Sequence, residues 1–352
     1  MTISIVIIGL GWIGHREAVL LDRHSDATVV GGVDPNRSAR RDFKKDIDAT
    51  VYETCSEMWE HTDPDAVIIA SPNSVHYEQA VDSLAKGAAV LVEKPFVTDL
   101  SEGLELVDLA DTANPPLHVG YHRRFHPGFR TVRRQLQDKS IGEPVTIACT
   151  LGQNWLSPNK DTWRTGEGAD SGGILYDTGS HLIEALFWIL DATPQSVGGF
   201  VNSVKDGIDV NCALAATIEV AGRTIPFNIT LCGESTGFVP DEQLVIWGTN
   251  GRITYRKDHT IKSQPERLRV VTSDNTVTDE NTFTEGVDSE TLTDRKLTAF
   301  LSAVRGSDVN LTTGQEALEV AAFRDAARAA AEEGVSISIS DYYKRVRSEG
   351  TK

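Results

Sequence analysis

The sequence predicts an α/β protein in two parts, an N-terminal parallel sheet with helices on both faces and a C-terminal α/β part with an open, mostly antiparallel sheet. Three observations predict it. Short apolar runs alternate with amphipathic stretches over the first 120 residues. Longer runs of alternating apolar and polar residues take over beyond the segment near 127–139. One long apolar stretch with helical spacing interrupts those runs. The expected domains are 1–121 and 122–352.

The runs Ile3–Ile8, Thr28–Val33, Ala66–Ala70, Ala88–Val92 and Leu117–Gly120 are nearly continuous in apolar residues, as strands buried on both faces must be. Between them, helical spacing covers Ile13–Arg23, Arg37–Asp46, Val75–Lys86 and Leu100–Asp111. Asn114-Pro115-Pro116 stops the last of these, because proline lacks the amide a helix needs. After a basic helix at Pro127–Lys139, the alternating runs Val145–Leu151, Ser196–Val201, Cys212–Val220, Arg223–Leu231 and Gln243–Trp247 read as strands of the second sheet, interrupted by a helix at Ser180–Leu190. Thr272–Asp294 is polar without periodicity, which predicts a solvated loop or irregular hairpin, with a mobile cover as the alternative. Helices at Glu290–Arg305 and Thr313–Glu333 close the chain.

A chain of 352 residues, 40% hydrophobic and 24% charged, can bury two full cores. Its 51 acidic residues against 34 basic ones leave a net charge of −17, which argues against nucleic acid as a partner. The basic set, 12 Lys and 22 Arg, beside abundant short acidic side chains is a balance like that of proteins from salt-rich cytoplasm, and a merely acidic surface gives the same balance. The opening residues lead straight into the first strand without a basic leader, and no apolar run approaches the roughly 20 residues needed to span a bilayer, so a cytoplasmic location is expected. Cys55, Cys149, Cys212 and Cys232 lie far apart with no C-x-x-C pair, which reads as free, buried thiols and no metal site.

Gly9-Leu10-Gly11-Trp12-Ile13-Gly14 follows the first strand and opens a helix, and Asp34 ends the next strand. This is the context in which a glycine fingerprint marks a dinucleotide site, with the pyrophosphate at the helix N-terminus and the acidic residue on the adenosine ribose. A carboxylate there repels a 2′-phosphate and favours NAD, while Arg37, Arg40 and Arg41 follow closely and offset the repulsion, so NADP stays the alternative. Glu93-Lys94-Pro95 follows the strand Ala88–Val92 and so sits at the carboxyl edge of the sheet, where ligands of open α/β folds bind. A lysine there can stabilise negative charge developing on an oxygen. Asp177 and His181 are spaced by four, one helical turn, after Gly172-Gly173, and supply a carboxylate and an imidazole for proton transfer. A core histidine with Asp177 as a helix cap is the structural alternative.

In this order the glycine fingerprint, Ser71-Pro72-Asn73-x-x-His76, Glu93-Lys94-Pro95, Gly120-Tyr121-x-x-Arg124-Phe125 and Asp177-x-x-x-His181 resemble the Gfo/Idh/MocA family. The resemblance spans essentially the whole chain. It implies a Rossmann domain, an α/β domain whose open sheet packs in homodimers or homotetramers, and an NAD(P)-dependent oxidoreductase acting on a sugar or cyclic polyol. Within it, His181 is the general acid/base, Lys94 hydrogen-bonds the reacting oxygen, and Asp177 orients substrate or histidine. Gly9, Gly11, Trp12, Ile13, Gly14, Asp34, Arg37, Glu93 and Lys94 fall on the cofactor side, and Ser71, Pro72, Asn73 and His76 along the nicotinamide ribose. Tyr121, His122, Arg124, Asn154, Trp155, Trp163 and Arg164 are candidates for the substrate's other hydroxyls, with Trp155 or Trp163 stacking on a pyranose face or else simply packing. Two other activities fit the resemblance: redox-assisted glycoside cleavage, and non-catalytic dinucleotide-dependent regulation. Retention of Lys94, Asp177 and His181 argues against the second.

The acidic surface makes a prediction of its own. If it is an adaptation to salt, the melting temperature rises between low and molar potassium chloride as repulsion is screened. Equal melting temperatures at both would remove the salt-rich reading.

Overall fold

The structure, a computed structural model, describes residues 2–113, 116–162, 164–165, 172–205, 207–235, 241–258, 266–280 and 287–349. Two compact units emerge: Met1–His122 with Asp288–Leu318, and Arg123–Val287 with Glu319–Lys352. Residues Asp288–Leu318, read from sequence as part of the second domain, thus cluster with the first unit.

The first unit runs β1 (Ile3–Ile8), α1 (Trp12–Leu21), β2 (Ala27–Val33), α2 (Arg37–Asp46), β3 (Thr50–Tyr52), α3 (Cys55–His61), β4 (Ala66–Ile69), α4 (His76–Ala85), β5 (Ala89–Val92), α5 (Leu100–Ala113) and β6 (Leu117–Val119). Its strands lie parallel in the order β6-β5-β4-β1-β2-β3. Every residue of β4 and β5 is buried, which is why their sequences are unbroken apolar runs. The order reverses at β1, so the loops after β1 and β4 diverge and open a crevice at the carboxyl ends of the strands. Strand β3 and helix α3 escaped the sequence patterning because three and seven residues are too short to show a period.

The second unit contains α6 (Pro127–Gln137), β7 (Pro144–Gly152), α7 (Leu156–Asn159), α8 (Thr178–Leu190), β8 (Ala192–Lys205), β9 (Ile208–Val220), β10 (Arg223–Cys232), β11 (Asp241–Gly248), β12 (Gly251–Asp258), β13 (Glu266–Thr272) and β14 (Val277–Glu280). The chain continues through α9 (Ser289–Val304), β15 (Thr312–Thr313), α10 (Gly314–Glu333), β16 (Ile337–Ser338) and α11 (Ile339–Glu349). Strand β15 joins the first sheet antiparallel to β6, and β16 joins the edge of the second.

The second sheet has the order β14-β13-β12-β11-β7-β10-β9-β8-β16 and is antiparallel except between β7 and β10. Its strands alternate. Ile147, Cys149, Leu214, Ala216, Phe227, Ile229, Leu244 and Ile246 are buried on one face, while Phe200 and Trp247 stand exposed on the other. Phe323 of α10 packs against Phe227 of β10 and edge-on to Phe187 of α8, covering the inner face. The sheet extends past the strands read from sequence, because β12 and β13 carry outward Arg residues between few apolar ones. Within the expected Thr272–Asp294 loop, β14 pairs with β13, residues 281–286 lie outside the described set, and α9 starts at Ser289 with Asp288 accepting the Thr291 amide at 2.8 Å. All four cysteines are free, Cys149 and Cys212 fully buried and Cys55 and Cys232 partly so. Among the described residues no helix is long and apolar enough to cross a membrane.

Candidate active site

In the first unit, the loop after β1 has the geometry its glycines predict. Gly9 adopts φ +91°, and a Cβ on Gly14 would stand 1.9 Å from the Gly9 carbonyl oxygen, so only glycine lets α1 start this close to the strand. A Cβ on Gly11 would meet nothing within 4 Å, which leaves open space over the backbone. Gly11 is also the N-cap of α1 and provides no side-chain acceptor, so the first amides of the helix keep their hydrogen-bonding capacity for a ligand. Asp34 closes the arrangement from the end of β2. Its Oδ2 accepts the Leu10 amide at 2.9 Å and its Oδ1 the Asn36 amide at 2.7 Å. Arg40 donates to the Asp34 carbonyl oxygen at 2.6 Å and to Glu53, Arg37 is exposed, and Trp12 is 72% exposed with the Arg16 guanidinium over its ring. Ile13 is partly buried.

The loops after β4 and β5 are locked together. His76 is buried, with Nδ1 3.1 Å from the Pro95 carbonyl oxygen and Nε2 3.0 Å from that of Ser71. A neutral imidazole has one N–H, so it donates to one carbonyl at a time. Burial holds its pKa below the usual value. Ser71 Oγ donates to Gln79, Pro72 is exposed, and Asn73 starts a single turn. Thus His76 braces the Ser71 and Lys94-Pro95 loops from behind. Lys94 itself is partly exposed. Beside it Glu93 is buried, one oxygen taking the Lys296 ammonium and the other the Lys94 amide at 3.3 Å. Burial opposes the Glu93 charge, but Lys296 outweighs it and holds this carboxyl below the ordinary range. Glu17 of α1, the second carboxylate on Lys296, is pushed up to about 7, by burial first and by Glu93 in addition. Tyr121 is buried and His122 partly exposed.

In the second unit, the turn before α8 is built on Asp209 of β9. Gly173 adopts φ +80°, where a Cβ would stand 2.2 Å from the Asp209 carbonyl oxygen. Ile174 N donates to that oxygen at 2.9 Å and Leu175 N to Asp209 Oδ1 at 2.7 Å. Tyr176 then donates to Asp325 of α10 at 2.5 Å, under the Arg324 guanidinium 3.5 Å from its ring centre. The chain reaches Asp177 already fixed on both sides.

Asp177 is the N-cap of α8, but its side chain makes no cap hydrogen bond. Its Oδ2 accepts Trp155 Nε1 at 2.9 Å and lies 3.4 Å from Arg164 Nε, so the carboxylate is held sideways, near the positive end of the helix dipole. His181 follows in the first turn of α8, a helix buried at every position from Gly179 to Leu190.

Several residues marked by sequence fall into supporting places. Trp155 is 1% exposed, so its ring has no face free for a sugar, and its role is to hold Asp177. Arg124 is buried in an ion pair with Glu184 of α8. Asn154 accepts the Ser157 amide and bridges to Glu234, and Trp163 lies outside the described residues. Sequence patterning missed Glu17, Lys296, Asp209 and the pair Tyr176–Asp325. Only a charged residue within an otherwise apolar helical face, as at Glu17 and Lys296, marks any of them in advance.

The profile described as "Oxidoreductase family, NAD-binding Rossmann fold" matches residues 3–121, and the "GFO/IDH/MocA C-terminal domain" matches 129–254. The chain belongs to the Gfo/Idh/MocA family of oxidoreductases, and its first unit is an NAD-binding Rossmann fold. It is 30% identical over 206 residues to an uncharacterized oxidoreductase of Schizosaccharomyces pombe, a match covering 57% of this chain and 55% of that protein. It is 28% identical to glucose-6-phosphate 3-dehydrogenase of Bacillus subtilis, over 62% of this chain and 64% of the relative. The matches to these and other curated relatives take in between 55% and 71% of the relative's length. The same fold occurs in the WlbA dehydrogenase of Bordetella pertussis, solved with NADH and UDP-GlcNAcA, at TM-score 0.82 and 19% identity over 96% of this chain and 97% of that one.

Asp209 generates a pH prediction. Burial pushes its carboxyl up to about 7, against the opposing Leu175 amide, Arg328 and Arg324. A group protonated more readily in the folded state contributes stability at low pH that is lost as pH rises through its folded pKa. Asp209→Asn keeps an oxygen for Leu175 and removes the titration. The fall in melting temperature between pH 5 and pH 8 is expected to be smaller in Asp209→Asn than in wild type. An equal or larger fall would contradict the assignment.

Proposed function

We propose that the protein is an NAD-dependent dehydrogenase that transfers a hydride between nicotinamide and a secondary or anomeric hydroxyl of a sugar, cyclic polyol or sugar derivative. One observation carries the reading. The chain sets Lys94 at the carboxyl end of a parallel strand in an NAD-binding sheet, and also presents Asp177 and His181 at the start of a buried helix.

The uncapped amides at the start of α1 and the open backbone at Gly11 would hold the pyrophosphate, and the spare lone pairs of Asp34 the adenosine ribose hydroxyls. Arg40 is engaged with the Asp34 carbonyl and Glu53, so it does not offset the repulsion between the Asp34 carboxylate and a 2′-phosphate, which supports NAD over NADP. Ser71, Pro72 and Asn73 would border the nicotinamide ribose. The nicotinamide supplies the hydride acceptor when bound. His181 removes the hydroxyl proton as the hydride leaves, Lys94 donates a hydrogen bond to the oxygen on which charge develops, and Asp177 orients the reacting groups. His122 and Arg164, both partly exposed, would bond other hydroxyls of the substrate, Arg164 beside its pairing with Asp177.

Relatives named as sugar dehydrogenases support the substrate class. A homodimer or homotetramer through the second sheet is supported by its exposed face, where Phe200 is 82% and Trp247 39% exposed. The proposed site of action is the cytoplasm.

Lys94→Ala and His181→Ala test the roles. Each is expected to lower kcat by about 100-fold or more on the best sugar or polyol, while the dissociation constant for NAD stays within about threefold. Full turnover in either variant would refute its assigned role.

A further inference from the structure

The catalytic assignment leaves unexplained a cation buried deep in the first unit. Lys296 of α9 is 2% exposed and lies more than 200 residues from Glu93 in sequence. Its ammonium bonds both Glu17 on α1 and Glu93 at the end of β5. Burial works against its charge, yet the two carboxylates keep the ammonium protonated well above the usual lysine range. Such a cluster is a weak source of stability, since desolvation offsets most of the attraction and apolar side chains of similar volume serve as well. What it does provide is direction. A carboxylate pinned through one oxygen can aim the other.

The aim is toward Lys94. The second Glu93 oxygen accepts the Lys94 amide, and after Lys296 the charges that most favour ionised Glu93 are those of Lys94 and His122. The strand beside it makes room for this side chain. A Cβ at Gly120 would lie 2.4 Å from Glu93 Oε1, so the glycine after β6 leaves the space in which the carboxylate meets Lys296. Four segments therefore converge on one carboxylate: the end of β5, the end of β6, α1 and α9.

We propose that Lys296 is a positioning residue which, through Glu93, sets the backbone and the electrostatic surroundings of Lys94. For its kinetic consequence the proposal rests on the role given to Lys94 above. For its structural consequence it does not.

The experiment compares wild type with Lys296→Met, Lys296→Arg and Glu93→Gln as full-length chains. Amide hydrogen exchange is followed at Lys94 and along β1, the dissociation constant for NAD is measured, and kcat and KM are taken on the best substrate of wild type. In Lys296→Met, exchange at the Lys94 amide is expected to accelerate about tenfold or more while β1 stays protected, and kcat to fall about 10- to 100-fold with NAD affinity nearly unchanged. Lys296→Arg, which keeps the charge, is expected to recover most of that loss. Glu93→Gln, which leaves Lys296 its Glu17 partner, is expected to reproduce the Met effect and decides the matter if the Met variant does not fold. The proposal is overturned if exchange at Lys94 is unchanged in Glu93→Gln, or if exchange accelerates equally in Lys94 and β1, which is general loosening. Full turnover in Lys94→Ala would sink the catalytic reading while leaving the exchange result to judge Lys296 alone.

Discussion

Lys296, enclosed between Glu17 and Glu93, is the interaction on which the first unit's functional edge depends. A buried ammonium cannot be left unpaired, and a carboxylate at the end of β5 cannot keep its charge there without one. Each requirement answers the other. The consequence is that a helix from the far end of the sequence is tied to the turn carrying Lys94, and that Lys296 holds the Glu93 carboxyl below the ordinary range while burial raises that of Glu17. His76 performs a companion task without charge, filling the space between the carbonyls of Ser71 and Pro95 and donating to one of them at a time.

The second unit solves a similar problem with different means. Asp177 and His181, proposed above to act in the reaction, open a helix that is almost wholly buried, so the approach to that helix must be fixed by groups that are themselves buried. Asp209 does this through its carbonyl and carboxyl oxygens, and Tyr176 through Asp325 and Arg324. Asp177 then has its side chain free of capping duty and held by Trp155 and Arg164. Lys94 and Asp177 are partly exposed, while Glu93, Lys296 and Trp155 behind them are buried, as pre-organisation of a site requires.

Much of the fold was legible because strands buried on both faces must be apolar throughout. The runs at Ile3–Ile8, Ala66–Ile69 and Ala89–Val92 admit no other placement. The glycine fingerprint was legible for a steric reason, since the Gly9 carbonyl leaves no space for a side chain at position 14. Strands β12 to β14 were hidden by their charged outward positions, and β3 by its length. At Trp155 local pattern left two readings, a sugar platform or simple packing, and the folded chain buries the ring as packing requires. The partners of Lys296 and the Asp209 brace were out of reach for a deeper reason, although Glu17 and Lys296 stand out singly as charges on apolar helical faces. They depend on pairings between residues far apart in the chain, and neither composition nor period records those.

The central claim is that this NAD-binding chain oxidises a sugar or polyol hydroxyl. It is tested most directly by following the absorbance of reduced nicotinamide while the purified protein meets a panel of aldoses, inositols and sugar acids with NAD and, separately, with NADP. The account predicts NADH formation confined to one class of sugar or polyol, faster with NAD than with NADP. Silence across the panel from protein shown to bind NAD would contradict it.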